Sequence, residues 1–404
     1  MRNVVFVAPF PLDTTMRFAR AAAALADVRC LGIFQEPPRG DDATRFADVV
    51  TVTDGLDTRQ LIEAGRVLER RHGKIHRIAG ILEPLQVQLG EVRRALGVPG
   101  TNADTADLFR DKARMKDELR RHGLPCARHK LLRSFEDADA FVRQVGFPIV
   151  LKPPAGMGCK ATWRVDTDND LRGALRAMHA SAQNPALAEE FLRGREHSFE
   201  TITIDGDVVF ESLSRYYPTP LEVMETPWIQ WVVVMPRTID SHEFNDARTL
   251  GRRAVKALGL DTGFTHMEWF RRDDGSLAIG EIAARPPGAN IVRMTGLAYD
   301  VDMYRAWARA VIDGAFDGPW ERKYSVGCAF LRGVGRGRVT NVLGVDRAHE
   351  LVGNHVVEAK LPQVGTPKSD SYEGDGYVIV RDPDIEVVKA AMQTVIETIQ
   401  VHYA

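Results

Sequence analysis

The sequence predicts an α/β protein of several packed units, in which a parallel α/β domain precedes regions built from antiparallel strands. Short apolar runs alternate with helical patterns over residues 1–100, which is typical of a parallel sheet. From residue 147 onward, strands and tight turns replace this alternation, and the turn dipeptides Asp205-Gly206 and Asp274-Gly275 each lie between strand-like runs. At 404 residues, the chain also exceeds the usual length of one domain.

The first hundred residues predict a separate N-terminal domain. In chain order we expect a strand at 4–8, a helix at 17–25, strands at 30–34 and 49–53, a helix at 59–71, and a further segment at 78–96. This order favours parallel pairing because each strand is followed by a helical crossover.

Residues 101–320 are expected to form the main body. A single helix is predicted over 106–122, with Asp104 or Thr105 as its N-cap and Gly123 and Pro125 as stop signals. A small α+β lobe at about 130–195 follows, and then two hairpins at 200–210 and 264–282 that predict a central antiparallel sheet. We expect residues 321–404 to be a strand-rich C-terminal subdomain that ends in a helix over 384–403.

Composition excludes several classes of protein. Lys and Arg total 53 and Asp and Glu total 55, so no overall field favours nucleic acid or an anionic membrane. The four cysteines show no CxxC spacing, which argues against a zinc ribbon or a disulfide framework. We see no export signal and no membrane span, and expect a cytoplasmic protein.

The second hairpin predicts a metal site. If Asp274-Gly275 is a two-residue turn, Asp273 pairs with Ser276 and Glu268 stands opposite Glu281. Opposed carboxylates repel, so the pair makes sense with Mg²⁺ between them, and neutralising Glu281 is expected to relieve strain in the metal-free protein. The alternative is two solvated glutamates.

A second pattern predicts phosphate binding. Lys152 ends an apolar run and precedes a Gly/Pro loop, where a lysine and backbone N–H groups can hold phosphate. The pattern lacks the GxxxxGK[ST] spacing of a P-loop, and a solvated turn is the alternative. The later Gly333-Val334-Gly335-Arg336-Gly337 run is interpreted as a turn.

Together these motifs resemble the ATP-grasp superfamily, over about residues 99–314. The resemblance rests on three runs, namely Asp111-Lys112-Ala113-Arg114-Met115, Pro148-Ile149-Val150-Leu151-Lys152-Pro153 and Glu189-Glu190-Phe191-Leu192. It implies an ATP-grasp fold in which Lys112 and Lys152 bind phosphates and the mobile loop 155–162, with Gly156 and Gly158, covers them. It further implies that backbone groups of Glu189, Glu190, Phe191 and Leu192 meet adenine and that Glu196 holds the ribose.

The resemblance also covers the hairpin. Glu268, Glu281 and Arg285 match the family's metal and phosphate residues, while Ala283 stands where Asn is common and leaves the number of Mg²⁺ ions open. The surrounding residues are similar to those of amino-acid and dipeptide ligases. Mn²⁺ is an alternative metal.

The implied activity is ATP-dependent joining of a carboxylate to an amine through an acyl phosphate, with release of ADP and phosphate. Arg285 and Lys152 would be catalytic, and Arg215, His266 and Arg293 are candidate substrate contacts, although a surface role for the two arginines and a supporting role for His266 are the alternatives. A biotin-carboxylase-like carboxylase and a non-catalytic ATP-binding protein remain competing interpretations. The partners implied are small molecules, with a homodimer as a further expectation.

Overall fold

The computed structural model describes residues 1–156, 161–226 and 228–404. The predicted mixed α/β fold class is confirmed, with a parallel sheet first and antiparallel sheets after it. Within the described residues, every helix is too short or too polar to cross a lipid bilayer.

The N-terminal sheet has four parallel strands in the order β3-β2-β1-β4. The strands are β1 (Arg2–Ala8), β2 (Val28–Phe34), β3 (Asp48–Thr51) and β4 (Ile75–Ala79). The helices beside them are α1 (Asp13–Ala23), α2 (Thr58–His72) and α3 (Gln86–Leu96). The predicted alternation is therefore confirmed, and β4 adds a strand that we had not separated from the helix after it.

The region after this sheet contains two helices where we predicted one. They are α4 (Ala103–Arg110) and α5 (Lys112–Arg121), and Asn102 caps the first, so the predicted caps were wrong. Asp111 separates them because its backbone is extended (φ −85°, ψ 106°) while its side chain accepts hydrogen bonds from the N–H groups of Ala113 and Arg114. The break places Lys112 in the first turn of α5.

A small antiparallel sheet forms the predicted α+β lobe, with strand order β5-β8-β6-β7. Its strands are β5 (His129–Leu132), β6 (Ile149–Lys152), β7 (Trp163–Val165) and β8 (Ala186–Glu190). Helices α6 (Phe135–Val145) and α7 (Asp168–Ala177) bury apolar side chains against it. Lys152 ends β6 beside β8.

The largest sheet has eight antiparallel strands in the order β13-β12-β9-β10-β11-β14-β17-β16. They are β9 (Gly194–Ile204), β10 (Asp207–Tyr217), β11 (Trp231–Met235), β12 (Gly263–Arg272), β13 (Leu277–Ala283), β14 (Ser325–Leu331), β16 (Val356–Lys360) and β17 (Gly376–Asp382). Asp205 and Gly206 both have positive φ, as the predicted two-residue turn requires. Strands β11 and β14 pair directly, so the boundary expected near residue 320 falls within one continuous sheet.

Glu268 lies opposite Glu281, as predicted, although the turn length and the register of the hairpin differ from the prediction. The turn has three residues, because Arg272 rather than Asp273 faces Ser276 and Gly275 takes φ +83°. A bulge at the β12–β13 pairing then shifts the register by one residue between Glu268 and Trp269, leaving Gly280 without a paired residue. The longer turn and the bulge shift the register by one residue in opposite directions, so the two shifts cancel.

The remaining elements surround this sheet. They are α8 (Pro220–Glu225), α9 (His242–Leu258), α10 (Ile291–Tyr299), α11 (Met303–Ala308), β15 (Val339–Leu343), α12 (Val345–Val352), α13 (Ile385–Thr398) and β18 (Gln400–Tyr403). The last helix is shorter than predicted, because the final residues form a strand that pairs with β15. The 333–337 run lies in a loop.

One apolar cluster holds α5 on the β12–β13 hairpin. Met115 and Leu119 of α5 pack with Trp269 of β12 and Ile282 of β13, and Met115 and Trp269 are fully buried. Since residues four apart share a helix face, Lys112 and Lys116 project together toward the hairpin. This packing therefore fixes the positions from which the Lys112 and Lys116 side chains extend.

Candidate active site

A cavity of about 580 Å³ opens where the small sheet, the hairpin and the N-terminal domain meet. Its size is in the range of ligand pockets, which is roughly 300–1,000 Å³. Nearly all the predicted site residues line it: Lys112, Lys152, Gly156, Glu189, Glu190, Phe191, Leu192, Glu196, His266, Glu268, Glu281 and Arg285. Gly158 and half of the predicted loop, residues 157–160, lie outside the described residues.

Glu189 is held between two lysines. Lys152 Nζ lies 2.9 Å from Glu189 Oε2 and Lys116 Nζ lies 2.7 Å from Glu189 Oε1. Burial by itself raises the pKa of Glu189, but attraction to Lys116 and Lys152 lowers it to about 2. Glu189 is therefore a fixed negative charge between α5 and the small sheet.

Lys116 extends this contact to the hairpin. It is fully buried, and its Nζ donates a hydrogen bond of 2.6 Å to Gly280 O at the bulge. In the sequence, the only signal for Lys116 is its spacing of four residues from Lys112, which places both lysines on one face of a helix.

Glu281 is paired with a predicted phosphate lysine. Lys112 Nζ lies 3.0 Å from Glu281 Oε1 and donates a hydrogen bond of 2.8 Å to Gly156 O. Burial raises the pKa of Glu281, whereas Lys112 and Lys152 lower it, to about 2. These two lysines, which the register alone did not show, argue against the expectation that neutralising Glu281 would relieve repulsion.

Glu268 faces a histidine. His266 Nδ1 lies 3.0 Å from Glu200 Oε1, and His266 Nε2 lies 3.7 Å from Glu268 Oε1. Burial lowers the pKa of His266, but hydrogen bonds to Glu200 and Glu268 raise it to about 9. This geometry agrees with a supporting role for His266, because its positively charged ring lies beside the Glu268 carboxylate.

Glu196 is another buried carboxyl group that lines the cavity. It lies near the start of β9, where it pairs with Phe270 of β12. Burial and the nearby charges of Glu268 and Glu281 raise its pKa well above the ordinary value. A protonated Glu196 can donate a hydrogen bond as well as accept one.

Arg285 lies in a cluster that sequence analysis missed. Glu83, which is 4% exposed in a short helical turn after β4, accepts from Arg285 Nε at 3.0 Å and from Arg110 Nη1 at 2.6 Å. Arg110 also donates to Ala155 O at 2.6 Å, at the start of the predicted loop. No local pattern marked Glu83 because its partners are distant in the chain.

The segment after β8 runs along the cavity. The carboxylate of Glu190 turns toward Arg128 and Arg272, and Arg164 stacks over the Phe191 ring at 4.8 Å. These contacts fix the side chains and leave the backbone of the segment beside the cavity.

Arg215 and Arg293 do not line this cavity. Arg215 Nη2 lies 2.7 Å from Glu243 Oε1, on the face of β10 opposite to Tyr216, which does line the cavity. Arg293 Nε lies 2.7 Å from Glu358 Oε2. Both arginines therefore form ion pairs outside this cavity.

The rest of the cavity wall is largely aromatic. Trp231 meets Tyr216 at 5.2 Å and Tyr372 at 4.7 Å, both edge to face. Phe18 and Tyr304, which meet at 4.9 Å, form the wall on the side of the N-terminal domain. This part of the cavity extends beyond the lysines and glutamates.

The chain matches a known domain over part of its length. Residues 117–296 match the ATP-grasp domain. An L-arginine-specific L-amino acid ligase of Bacillus subtilis is 25% identical over 268 residues, which cover 65% of this chain and 64% of that protein, less than two thirds of its length.

Two solved structures share the fold. An L-amino acid ligase from Bacillus licheniformis superposes with a TM-score of 0.81 at 18% identity, covering 100% of this chain and 99% of that one. An N5-carboxyaminoimidazole ribonucleotide synthetase from Thermotoga maritima superposes with a TM-score of 0.71 at 18% identity, covering 100% of both chains. The resemblance to the ATP-grasp superfamily is therefore confirmed, and the domain match is confined to residues 117–296.

Proposed function

We propose that the protein is a ligase that uses ATP to activate a carboxylate as an acyl phosphate and joins it to an amine, releasing ADP and phosphate. The observation that carries this proposal is the convergence of Lys112, Lys152, Glu268, Glu281 and Arg285 on one cavity of about 580 Å³. The arginine ligase among the relatives supports amino-acid-like substrates.

Lys112 and Lys152 would hold the phosphates of ATP. In the ligand-free protein they pair with Glu281 and Glu189, so the cationic and anionic groups neutralise one another. If phosphate and metal bind together, phosphate would become the partner of Lys112 and the metal that of Glu281, so neither charge would be left unpaired. The backbone of residues 189–192 would meet adenine, and Glu196 would hold the ribose hydroxyls.

Glu268 and Glu281 fit Mg²⁺. They present hard carboxylate oxygens across the hairpin, and the described residues contain no cluster of three or more acidic, histidine or cysteine side chains that would complete a metal site. This suits an ion that takes its other ligands from phosphate and water. When bound, Mg²⁺ neutralises charge on the phosphoryl oxygens.

The chemistry needs no covalent protein nucleophile. The substrate carboxylate oxygen attacks the γ-phosphorus, the bond to ADP breaks, and Lys152 stabilises the transferring group. The amine then attacks the acyl carbon, the C–N bond forms, and phosphate leaves with the C–O bonding electrons. Arg285, oriented by Glu83, would stabilise the oxyanion of that step.

The organisation proposed for this activity is an N-terminal domain at 1–100, an ATP-grasp region at 101–320 with a nucleotide lobe at about 130–195, and a C-terminal subdomain at 321–404. Its partners would be the small carboxylate and amine substrates, and a homodimer is part of the same proposal.

Products separate this function from its competitors. We expect amino-acid pairs with Mg-ATP to yield ADP, phosphate and a condensed product detectable by mass spectrometry. AMP and pyrophosphate would contradict the acyl phosphate. Labelled product from bicarbonate would indicate the carboxylase, and nucleotide binding without phosphate release would indicate the non-catalytic protein.

A further inference from the structure

Glu373 brings a carboxylate to the cavity from the C-terminal region. It lies in the connection between β16 and β17 and lines the cavity beside the segment that follows Arg285. Its carboxylate accepts a hydrogen bond from the Ala289 backbone N–H. A Cβ placed on Gly288 would stand 3.9 Å from Glu373 Oε1, so the carboxylate lies against this segment.

The loop that carries Glu373 is fixed by its own hydrogen bonds. The Glu373 N–H donates to Ser371 Oγ at 3.1 Å, and the Asp375 N–H donates to Leu331 O of the large sheet at 3.1 Å. Asp375 Oδ1 accepts from the Ser369 N–H at 2.9 Å, which closes the loop. Glu373 is therefore held in place rather than presented on a free chain.

Glu373 lacks a cationic partner in the part of the chain that the structure describes. Arg285 is close enough to lower its pKa slightly, but Arg285 is already bound to Glu83. Burial is the larger effect and raises the pKa of Glu373. A half-buried carboxylate beside the aromatic side chains of Trp231 and Tyr372 is destabilised unless a positive charge pairs with it.

We propose that Glu373 binds the ammonium group of the amine substrate and accepts a proton from it. The inference rests on the proposed ligase function and names the amine site within it. A lone carboxylate is a poor site for a divalent metal, which needs several oxygen ligands, whereas an ammonium group needs one charged partner.

The proton transfer completes the chemistry of the second step. An ammonium group has no free electron pair, so it cannot attack the acyl phosphate until it loses one proton to Glu373. The neutral amine then attacks the acyl carbon, and the C–N bond forms as phosphate departs with the C–O electrons. The second proton leaves the amide nitrogen with the phosphate.

Hydroxylamine provides the test, because it is an uncharged nucleophile at neutral pH and traps an acyl phosphate as a hydroxamate. The probes are each of the twenty proteinogenic L-amino acids as acyl donor with Mg-ATP, and either a second amino acid or hydroxylamine as acceptor. In Glu373→Gln, the amide oxygen still accepts from the Ala289 N–H, while the charge and the base are lost.

We expect Glu373→Gln to lower kcat/KM for the amino-acid acceptor by about 10- to 100-fold, as for the loss of a charge-assisted hydrogen bond. Hydroxamate formation should stay within about 3-fold of wild type, and Glu373→Asp should recover part of the amino-acid reaction. Glu386→Gln, at an exposed carboxylate of α13 that does not line the cavity, should change neither reaction.

Three results would overturn the inference. Equal dipeptide formation by wild type and Glu373→Gln would show that the amine binds elsewhere. Equal loss of dipeptide and hydroxamate would show that Glu373 supports activation or folding instead. Absence of hydroxamate from the wild type would contradict the ligase function itself, and the amine site with it. Should Glu373→Gln not fold, Glu373→Asp keeps the test, because it should slow the amino-acid reaction and leave hydroxamate formation within about 3-fold of wild type.

Discussion

At the scale of single residues, the charged side chains of the site are paired with one another. Lys112 pairs with Glu281, Lys152 and Lys116 pair with Glu189, and His266 lies behind Glu268. Because these side chains are mostly buried, each partner depends on the other, and removal of one leaves an uncompensated charge.

We therefore expect Glu281→Gln to destabilise the metal-free protein. The loss should be roughly 1–3 kcal/mol, below the about 3–5 kcal/mol of a fully buried pair, because the Glu281 side chain is 22% exposed. Urea unfolding in chelator measures it. Glu350→Gln breaks the exposed pair with Arg347 and should change stability by less than about 1 kcal/mol. Equal or greater stability of Glu281→Gln would restore the repulsion hypothesis.

The low pKa of Glu189 predicts that the stability of the protein depends on pH. Its pKa is about 2 in the folded protein and is ordinarily 4.5, so its contribution is fully present above pH 4.5 and is lost as pH falls through 2. The difference in unfolding free energy between wild type and Glu189→Gln should shrink by about 3 kcal/mol over that window. Urea titrations from pH 6 to pH 2 give the comparison, and a constant difference would contradict the pairing with Lys116 and Lys152.

At the scale of elements, the β12–β13 hairpin decides which carboxylates meet. Its three-residue turn moves the register by one residue, and the bulge at Gly280 moves it back, so Glu268 faces Glu281. The bulge also frees the Gly280 carbonyl for Lys116. This hydrogen bond joins α5 to the hairpin next to Glu281, one of the two proposed metal ligands.

Gly280→Val tests the bulge. A Cβ there would stand 3.2 Å from the Phe270 ring and 3.3 Å from Glu268 O, and the branched side chain adds further crowding. We expect a loss of about 1–3 kcal/mol in thermal or urea unfolding. Gly173→Ala in α7 is the matched control, because nothing lies within 4 Å of its Cβ and the helix should gain up to about 1 kcal/mol. Unchanged stability of Gly280→Val would show that the bulge tolerates a side chain.

At the scale of the whole molecule, the cavity depends on all the major parts of the fold. The small sheet supplies Lys152 and Glu189, α5 supplies Lys112, the large sheet supplies Glu268 and Glu281, and the C-terminal region supplies Glu373. A ligand that binds this cavity contacts several parts together and stabilises their arrangement.

Mg-ATP should therefore raise the melting temperature. At about 100 times Kd, binding adds roughly 2.7 kcal/mol to the free energy of unfolding. Lys152→Met should lose most of this shift in a thermal scan, whatever its own melting temperature, because a phosphate contact is gone. Lys389→Met, at a more exposed lysine in α13, should keep the full shift. A full shift in Lys152→Met would place the phosphates elsewhere.

The sequence by itself determined the fold class and the family resemblance, because alternating patterns, turn dipeptides and short motifs are local properties. It also predicted the pairing of Glu268 with Glu281, but that pairing holds only because the three-residue turn and the bulge at Gly280 offset each other. Only the tertiary structure decided that Lys112 neutralises Glu281, that Glu83 orients Arg285, that Arg215 faces away from the cavity, and that Glu373 reaches it. Asp111 also ended a helix that periodicity alone continued. These features depend on side chains far apart in the chain, whose charges interact only after packing brings them within a few ångströms and removes the water between them.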